Sequence, residues 1–283
     1  MLRRLDEVAA ALEEGRGVVA LETSVLAQGL PIPHNETAAA AMERATPTLG
    51  LTTDELARFL ARDGVRKIGA RDIAPCAAAG ADGATTVAAS LALAHAGGVR
   101  VFATGGIGGV HRGAPFDESG DLVALARTPL VVTCAGAKSI LDLPATLERL
   151  ETLNVPVIGW RTDELPGFFT RTTGLRVPHR VDDVAQLAQL ARLHWGLGLA
   201  SAILVVVPPP AESALAQGEV DAAVGRALAA AERAGVTGAA LTPFLLGAVV
   251  DATEGRSLAA NLALLEANAR LAGEIAVALP ASA

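Results

Sequence analysis

The sequence predicts one α/β domain over residues 1–283, with a largely parallel central sheet flanked by helices and a helical C-terminal third. Three observations carry that prediction. Short β-branched apolar runs, the mark of strands buried on both faces, alternate with longer stretches of helical periodicity. The helical stretches mostly end near Gly or Asn, residues that terminate helices. No composition shift or long linker divides the chain, and its length suffices for one sizeable core.

Taken in order, the opening MLRRLDEVAAALEEG reads as an amphipathic helix. Its acids leave no unbroken apolar core of the kind an export signal needs, so the expected location is cytoplasmic. A strand follows at Val18–Leu21, then helices at Asn35–Thr46 and Thr53–Asp63, then a strand at Lys67–Gly69. The Ala-rich Thr86–His95 is helical and leads to strands at Val99–Ala103 and Leu130–Cys134. Helix Pro144–Leu153, strand Val155–Gly159, helix Val181–His194 and strand Ile203–Val207 continue the alternation. Helices at Val220–Ala234, Leu241–Ala252 and Leu258–Ala276 complete the chain.

Composition excludes several partners. Aromatic residues make up 3 % of the chain and Tyr is absent, so base-stacking surfaces for nucleic acid are lacking. A net charge of -7 with no basic run argues against nucleic-acid backbones and anionic membranes, leaving a small anion wherever positive groups converge. The apolar stretch Leu199–Val207 runs into three prolines, far short of the roughly 20 residues that span a bilayer. Cys76 and Cys134 show no ligand or disulfide spacing and read as buried reduced thiols.

In parallel α/β folds the ligand crevice lies at the carboxyl ends of the strands. The residues there are Glu22, Arg71 with Asp72, Thr104 and Lys138. Lysine is rare: among the 23 basic residues only Lys67 and Lys138 are not Arg. Arg stays protonated, whereas a desolvated or cation-flanked Lys can lose its proton and form a Schiff base. Two readings stand, structural lysines in an Arg-biased composition or amine chemistry at Lys138; the positions after strands favour the second.

The run Thr104-Gly-Gly-Ile-Gly-Gly-Val-His-Arg-Gly113 can bring backbone amides close to an anion, helped by His111 and Arg112, although it also reads as a tight turn. Thr85-Thr86-Val87 offers an N-cap hydroxyl and free N–H groups, for capping alone or for phosphate. Phe116–Leu122 carries Asp117, Glu118 and Asp121, enough oxygen for a hard cation, with an acidic surface loop the plainer reading. His95 and His194 read as structural, and Ser24 and Ser139 lack a serine-hydrolase context.

Val19-Ala-Leu-Glu-Thr-Ser-Val25 with Gly29-Leu-Pro-Ile-Pro33, the Thr104–Gly113 run, Cys134-Ala-Gly-Ala-Lys-Ser-Ile-Leu-Asp142, Thr242-Pro-Phe-Leu-Leu246 and Ser257-Leu-Ala-Ala-Asn261 together resemble the pseudouridine-5'-phosphate glycosidase family over almost the whole chain. The resemblance implies reversible cleavage of the C–C glycosidic bond of pseudouridine 5'-phosphate to uracil and ribose 5-phosphate, with a divalent cation, typically Mn2+, in a homotrimer. It implies that Lys138 attacks C1' after the sugar ring opens, that Glu22 moves protons, and that the iminium serves as electron sink. A carbon leaving group offers no heteroatom for the two-carboxylate route of ordinary glycosidases. By the same resemblance Lys67 holds the sugar phosphate with Thr86, Val87 and His111, Asp117 binds the metal, Ser119, Gly120 and Asp121 contact substrate, and Asn261 sits near the base.

Departures from the family pattern fall in the short Glu43–Leu51 segment, at Val207-Pro-Pro-Pro210 in place of Asn-Pro-Ile-Pro, at Gly120 where Ala is common, and in an acidic loop shorter by two residues. They leave ribose 5-phosphate recognition better preserved than uracil recognition. The competing expectations are a C-glycosynthase that joins ribose 5-phosphate to another acceptor, a non-catalytic sugar-phosphate binder and, from the lysines alone, a Schiff-base aldolase.

Overall fold

A computed structural model describes residues 2–25, 27, 30, 32, 34–35, 51–113, 116–236 and 241–279. The chain runs α1 (Asp6–Glu13), β1 (Val19–Leu21), α2 (Thr53–Ala61), β2 (Arg66–Ile68), α3 (Ile73–Ala78), β3 (Gly83–Thr85), α4 (Val87–Ala96), β4 (Val101–Ala103), α5 (Gly120–Arg127) and β5 (Val131–Cys134). It continues through α6 (Leu143–Thr152), β6 (Val157–Trp160), β7 (His179–Val181), α7 (Val184–Gly196), β8 (Ile203–Val206), α8 (Gln217–Ala234), α9 (Leu241–Ala252) and α10 (Arg256–Ala278).

Six strands form one sheet in the order β1-β4-β5-β8-β6-β7, and every neighbouring pair is parallel. Alternate residues explain why both faces are covered. Phe102, Val132, Cys134, Leu204 and Val206 pack into a core shared with α4, α5, α6 and α8. Val101, Val131, Ile203 and Val205 point the other way, into a second core with α7 and the C-terminal half of α10. Burial on both faces is what the continuous apolar runs require. Cys134 lies wholly inside, where loss of water pushes its thiol pKa up to about 12; both cysteines are buried and free.

Two predicted elements need correction. The strand expected at Lys67–Gly69 forms as β2 but does not join the central sheet; among the described residues it pairs, in parallel, only with β3, which is not among the predicted strands. Of Arg66, Lys67 and Ile68 only the last is buried, too little apolar surface for a strand covered on both faces. The helix expected at Val181–His194 starts at Val184, where the Asp183 carboxylate accepts from Ala185 N at 2.7 Å and caps it. Val181 instead ends the edge strand β7, whose exposed His179 and Arg180 hide its strand character.

Helices α3 and α5 were also not anticipated, and α2 ends at Ala61 because Arg62 turns left-handed at φ 64°. Apart from Asn35, the predicted helix Asn35–Thr46 lies outside the described residues, as does Glu43–Leu51 apart from Leu51. Among the described residues no helix is long and apolar enough to cross a membrane.

Candidate active site

Strands β1, β4 and β5 are neighbours, with Leu21 paired to Ala103 and Ala103 to Thr133, so they finish side by side. Whatever follows them shares one edge of the sheet. Glu22 emerges from β1 with 4 % exposure, and both of its oxygens are occupied. Thr104 Oγ1, just beyond β4, donates to Oε2 at 2.6 Å, and Ser24 Oγ donates to Oε1. Asn268 on α10 donates from Nδ2 to the Thr104 carbonyl at 2.8 Å, fixing that threonine in turn. A buried carboxylate needs such donors, and here they also set its orientation.

The loop after β5 is stitched to the glycine run. Ala135 N donates to Gly105 O at 2.9 Å, Ile107 N to Gly136 O at 3.1 Å, and Lys138 N to Ile107 O at 3.1 Å. On the far side Arg112 donates from Nε to Leu141 O at 3.0 Å and from Nη2 to Ser139 O at 3.3 Å. Arg112 is therefore a brace for the Lys138 loop, which corrects its reading as an anion ligand. Gly136 makes the turn at φ 88°, and a Cβ there would stand 2.5 Å from the Pro166 carbonyl. Gly136→Ala is expected to cost about 2–3 kcal/mol of stability, read as a lowered urea midpoint.

The cleft above this edge is lined by Glu22, Ser24, Lys67, Thr104, Lys138, Phe168 and Asn261, closed on one side by Thr242, Pro243 and Leu246 of α9. Two amines and one carboxylate thus meet in a single depression. Lys67 reaches it from β2 and stays partly in water. Partial desolvation, followed by the Lys138 charge, holds its ammonium pKa below the usual 10.5, while Glu22 and Asp121 pull it back up.

The remaining predicted site residues are not among those lining the cleft. Thr86 occupies the N-cap position of α4, but its hydroxyl makes no capping bond, contrary to expectation. Asp121 supplies the acceptors instead: Oδ1 receives Ala88 N at 2.9 Å and Oδ2 receives Gly108 N at 2.8 Å. With 5 % exposure, Asp121 is a buried tie between α4 and the glycine run, which corrects the surface-loop reading at that position. Ser119 caps α5, its hydroxyl accepting from Asp121 N at 3.2 Å, and Gly120 opens that helix. Val87 is buried at the start of α4.

His111 Nδ1 lies 3.1 Å from the half-exposed Asp117 carboxylate without hydrogen-bond alignment. Among the described residues no three His, Cys, Asp or Glu side chains gather as a metal cage. One accessible carboxylate with an unbonded imidazole nitrogen beside it fits a hard divalent cation held mostly by water and substrate oxygens. His194 is structural as expected, its Nε2 2.9 Å from Ser201 Oγ, and burial lowers its pKa. His95 is exposed in the last turn of α4.

Sequence reasoning missed Ser24 and Thr104 as partners of Glu22, and Phe168 and Asn268 altogether. Asn268 left a usable signal: it stands seven residues after Asn261, two turns along one face of an Ala/Leu-rich helix. Ser24 stands only two residues from Glu22, whereas Thr104 left no signal, since its partner is fixed by the register of β1 against β4.

Strand ends that present a buried carboxylate and two amines to one cleft define an α/β protein equipped for amine and proton-transfer chemistry on a small anion. The model of the family described as Indigoidine synthase A like protein matches residues 7–278, and the chain belongs to that family. It is 61 % identical to a protein of Gemmatimonas aurantiaca named pseudouridine-5'-phosphate glycosidase, over 98 % of this chain and 96 % of that one. A protein of the same name from Herpetosiphon aurantiacus is 50 % identical, with 96 % of each chain covered. Among solved structures, the prealnumycin C-glycosynthase AlnA in complex with ribulose 5-phosphate is 38 % identical at a TM-score of 0.90, covering 99 % of this chain and 97 % of the other. An indigoidine synthase A-like protein of Thermotoga maritima is 37 % identical at a TM-score of 0.87, with 93 % of each chain covered.

Proposed function

We propose that the chain is an enzyme that reversibly cleaves pseudouridine 5'-phosphate to uracil and ribose 5-phosphate through an imine on Lys138. The observation that carries this reading is the meeting of Glu22, Lys67 and Lys138 in one cleft; the names of the full-length relatives supply the substrate. The Lys138 amine attacks C1' as the ribose ring opens, and Glu22 handles the proton at the ring oxygen. The nitrogen lone pair then forms the iminium while the electrons of the C1'–C5 bond pass to uracil, which takes a proton at C5. Water hydrolyses the iminium, releasing ribose 5-phosphate and the amine.

Lys67 binds the phosphate in this reading, together with Thr86, Val87 and His111. Asp117 would hold a divalent cation, probed as Mn2+, whose positive charge offsets that of the anionic substrate. A homotrimer in the cytoplasm completes the proposal.

Borohydride reduction with ribose 5-phosphate and Mn2+, followed by intact-mass measurement, tests the reading. An adduct on Lys138, together with nucleotide formation when uracil is added, supports it. The likeness to AlnA favours one second reading, a C-glycosynthase with another acceptor; an adduct without nucleotide selects that, and no adduct without turnover selects a binding protein.

The charge of Lys67 makes a further prediction. Because its pKa is depressed, the ammonium is lost as pH rises through a value below 10.5. Ribose 5-phosphate affinity should therefore weaken on the alkaline side before an ordinary lysine would titrate. Calorimetric Kd values across pH should show this limb, and Lys67→Arg, which stays charged, should remove it. Persistence of the same limb in Lys67→Arg would assign it to another group.

A further inference from the structure

Lys67 and its two cleft partners belong to different sheets. Glu22 and Lys138 follow strands of the six-stranded sheet, whereas β2 pairs only with β3. Among the described residues no backbone ladder fixes Lys67 relative to Glu22, yet the cleft works only if their spacing is set. The residues that bridge the sheets are Thr23, next to Glu22, and Thr85, which closes β3 and pairs with Ile68, next to Lys67.

Their contact is reciprocal. Thr85 N donates to Thr23 Oγ1 at 2.8 Å, Thr23 N donates to Thr85 Oγ1 at 3.4 Å, and the two hydroxyl oxygens are 2.9 Å apart. Ser90 Oγ on α4 donates to Thr85 Oγ1 at 2.9 Å. Two N–H donors and two hydroxyls thus join the two sheets directly, and the backbone runs on through Thr86, whose N–H donates to Ile68 O at 2.9 Å.

We infer that the Thr23–Thr85 clamp is a positioning device that registers the β2–β3 ribbon, and with it the Lys67 ammonium, against Glu22 and Lys138. The inference rests on the reading of Lys67 as the phosphate-holding group. The clamp touches no reacting atom and acts on the phosphate end of the cleft, through Lys67 first and, by way of Thr86, through the start of α4. Its loss should therefore weaken phosphosugar binding while leaving the chemical step near its normal rate at saturation.

The test is a double-substitution cycle on the full chain with pseudouridine 5'-phosphate as substrate. Thr85→Val keeps the side-chain volume and removes the hydroxyl; it is expected to raise KM about tenfold with kcat within about twofold. Thr23→Val, which approaches the contact from the other strand, should do the same, and Thr85→Ser should restore KM. In a Lys67→Ala background, Thr85→Val should raise KM by clearly less than in the native background.

An unchanged KM in both valine variants overturns the clamp, as does a penalty that adds in full to that of Lys67→Ala. A fall in kcat that Thr85→Ser does not rescue overturns it too, since that marks general damage to the fold. If Lys67→Ala alone leaves KM unchanged, the phosphate role of Lys67 fails and the clamp's function fails with it. That outcome is distinct from the others, in which Lys67→Ala raises KM and only the clamp is lost.

Discussion

Lys138→Ala is expected to lower turnover of pseudouridine 5'-phosphate by more than about 10⁴-fold, or ~5.5 kcal/mol of barrier, and to abolish the borohydride adduct with ribose 5-phosphate. The other amine in the cleft, Lys67, hangs from a different sheet and is assigned to the phosphate. Substrate binding should survive, because the phosphate end is held elsewhere. The fold should survive as well, since the loop is held through its backbone amides rather than the Lys138 side chain. Steady-state kinetics with the mass measurement decide the matter. A retained adduct in this variant would move the nucleophile to Lys67.

Glu22→Gln is expected to reduce kcat by about 10²–10⁴-fold, the usual worth of a positioned general acid–base, with KM little changed. Gln nearly matches Glu in shape, and the Ser24 and Thr104 hydroxyls can rotate to donate to its oxygen or accept from its amide. The substitution also removes a buried charge, so the thermal midpoint should hold or rise while activity falls. That divergence separates a chemical role from a packing role; parallel loss of activity and midpoint would mean that Glu22 only holds the strand ends together.

Much of this architecture was legible in the sequence because it rests on local signals. Ile203–Val206 and Val131–Cys134 are apolar enough to require burial on both faces, so their strands and the parallel sheet followed. Glu22 and Lys138 stood out by position after strands, and Lys67 by rarity. What the sequence hid depended on contacts distant along the chain. Strand β3 is Gly-Ala-Thr, with no periodicity to read, and exists because β2 lies beside it. The tie made by Asp121 joins residues 88, 108 and 121, a closure that no window of sequence contains. Of edge strand β7 only Val181 falls in a predicted element, the start of a helix, because the polar His179 and Arg180 carry no strand pattern.

Helix α10 draws these parts into a particular division of labour. Its first half brings Asn261 to the cleft beside the α9 residues Thr242, Pro243 and Leu246, while its second half is buried against the opposite face of the sheet. The Lys138 loop and the glycine run are locked by backbone bonds, Glu22 by two hydroxyls, and α10 itself by Asn268 on the Thr104 carbonyl; Asn261, Thr242, Pro243 and Leu246 take no part in those bonds. If Asn261 sits near the base, as the family resemblance implies, these four side chains can be exchanged without disturbing the strand ends, and the partner joined to or released from the sugar is the evolvable half of the chemistry. One frame can thereby serve relatives named for breaking a carbon glycoside and another named for making one.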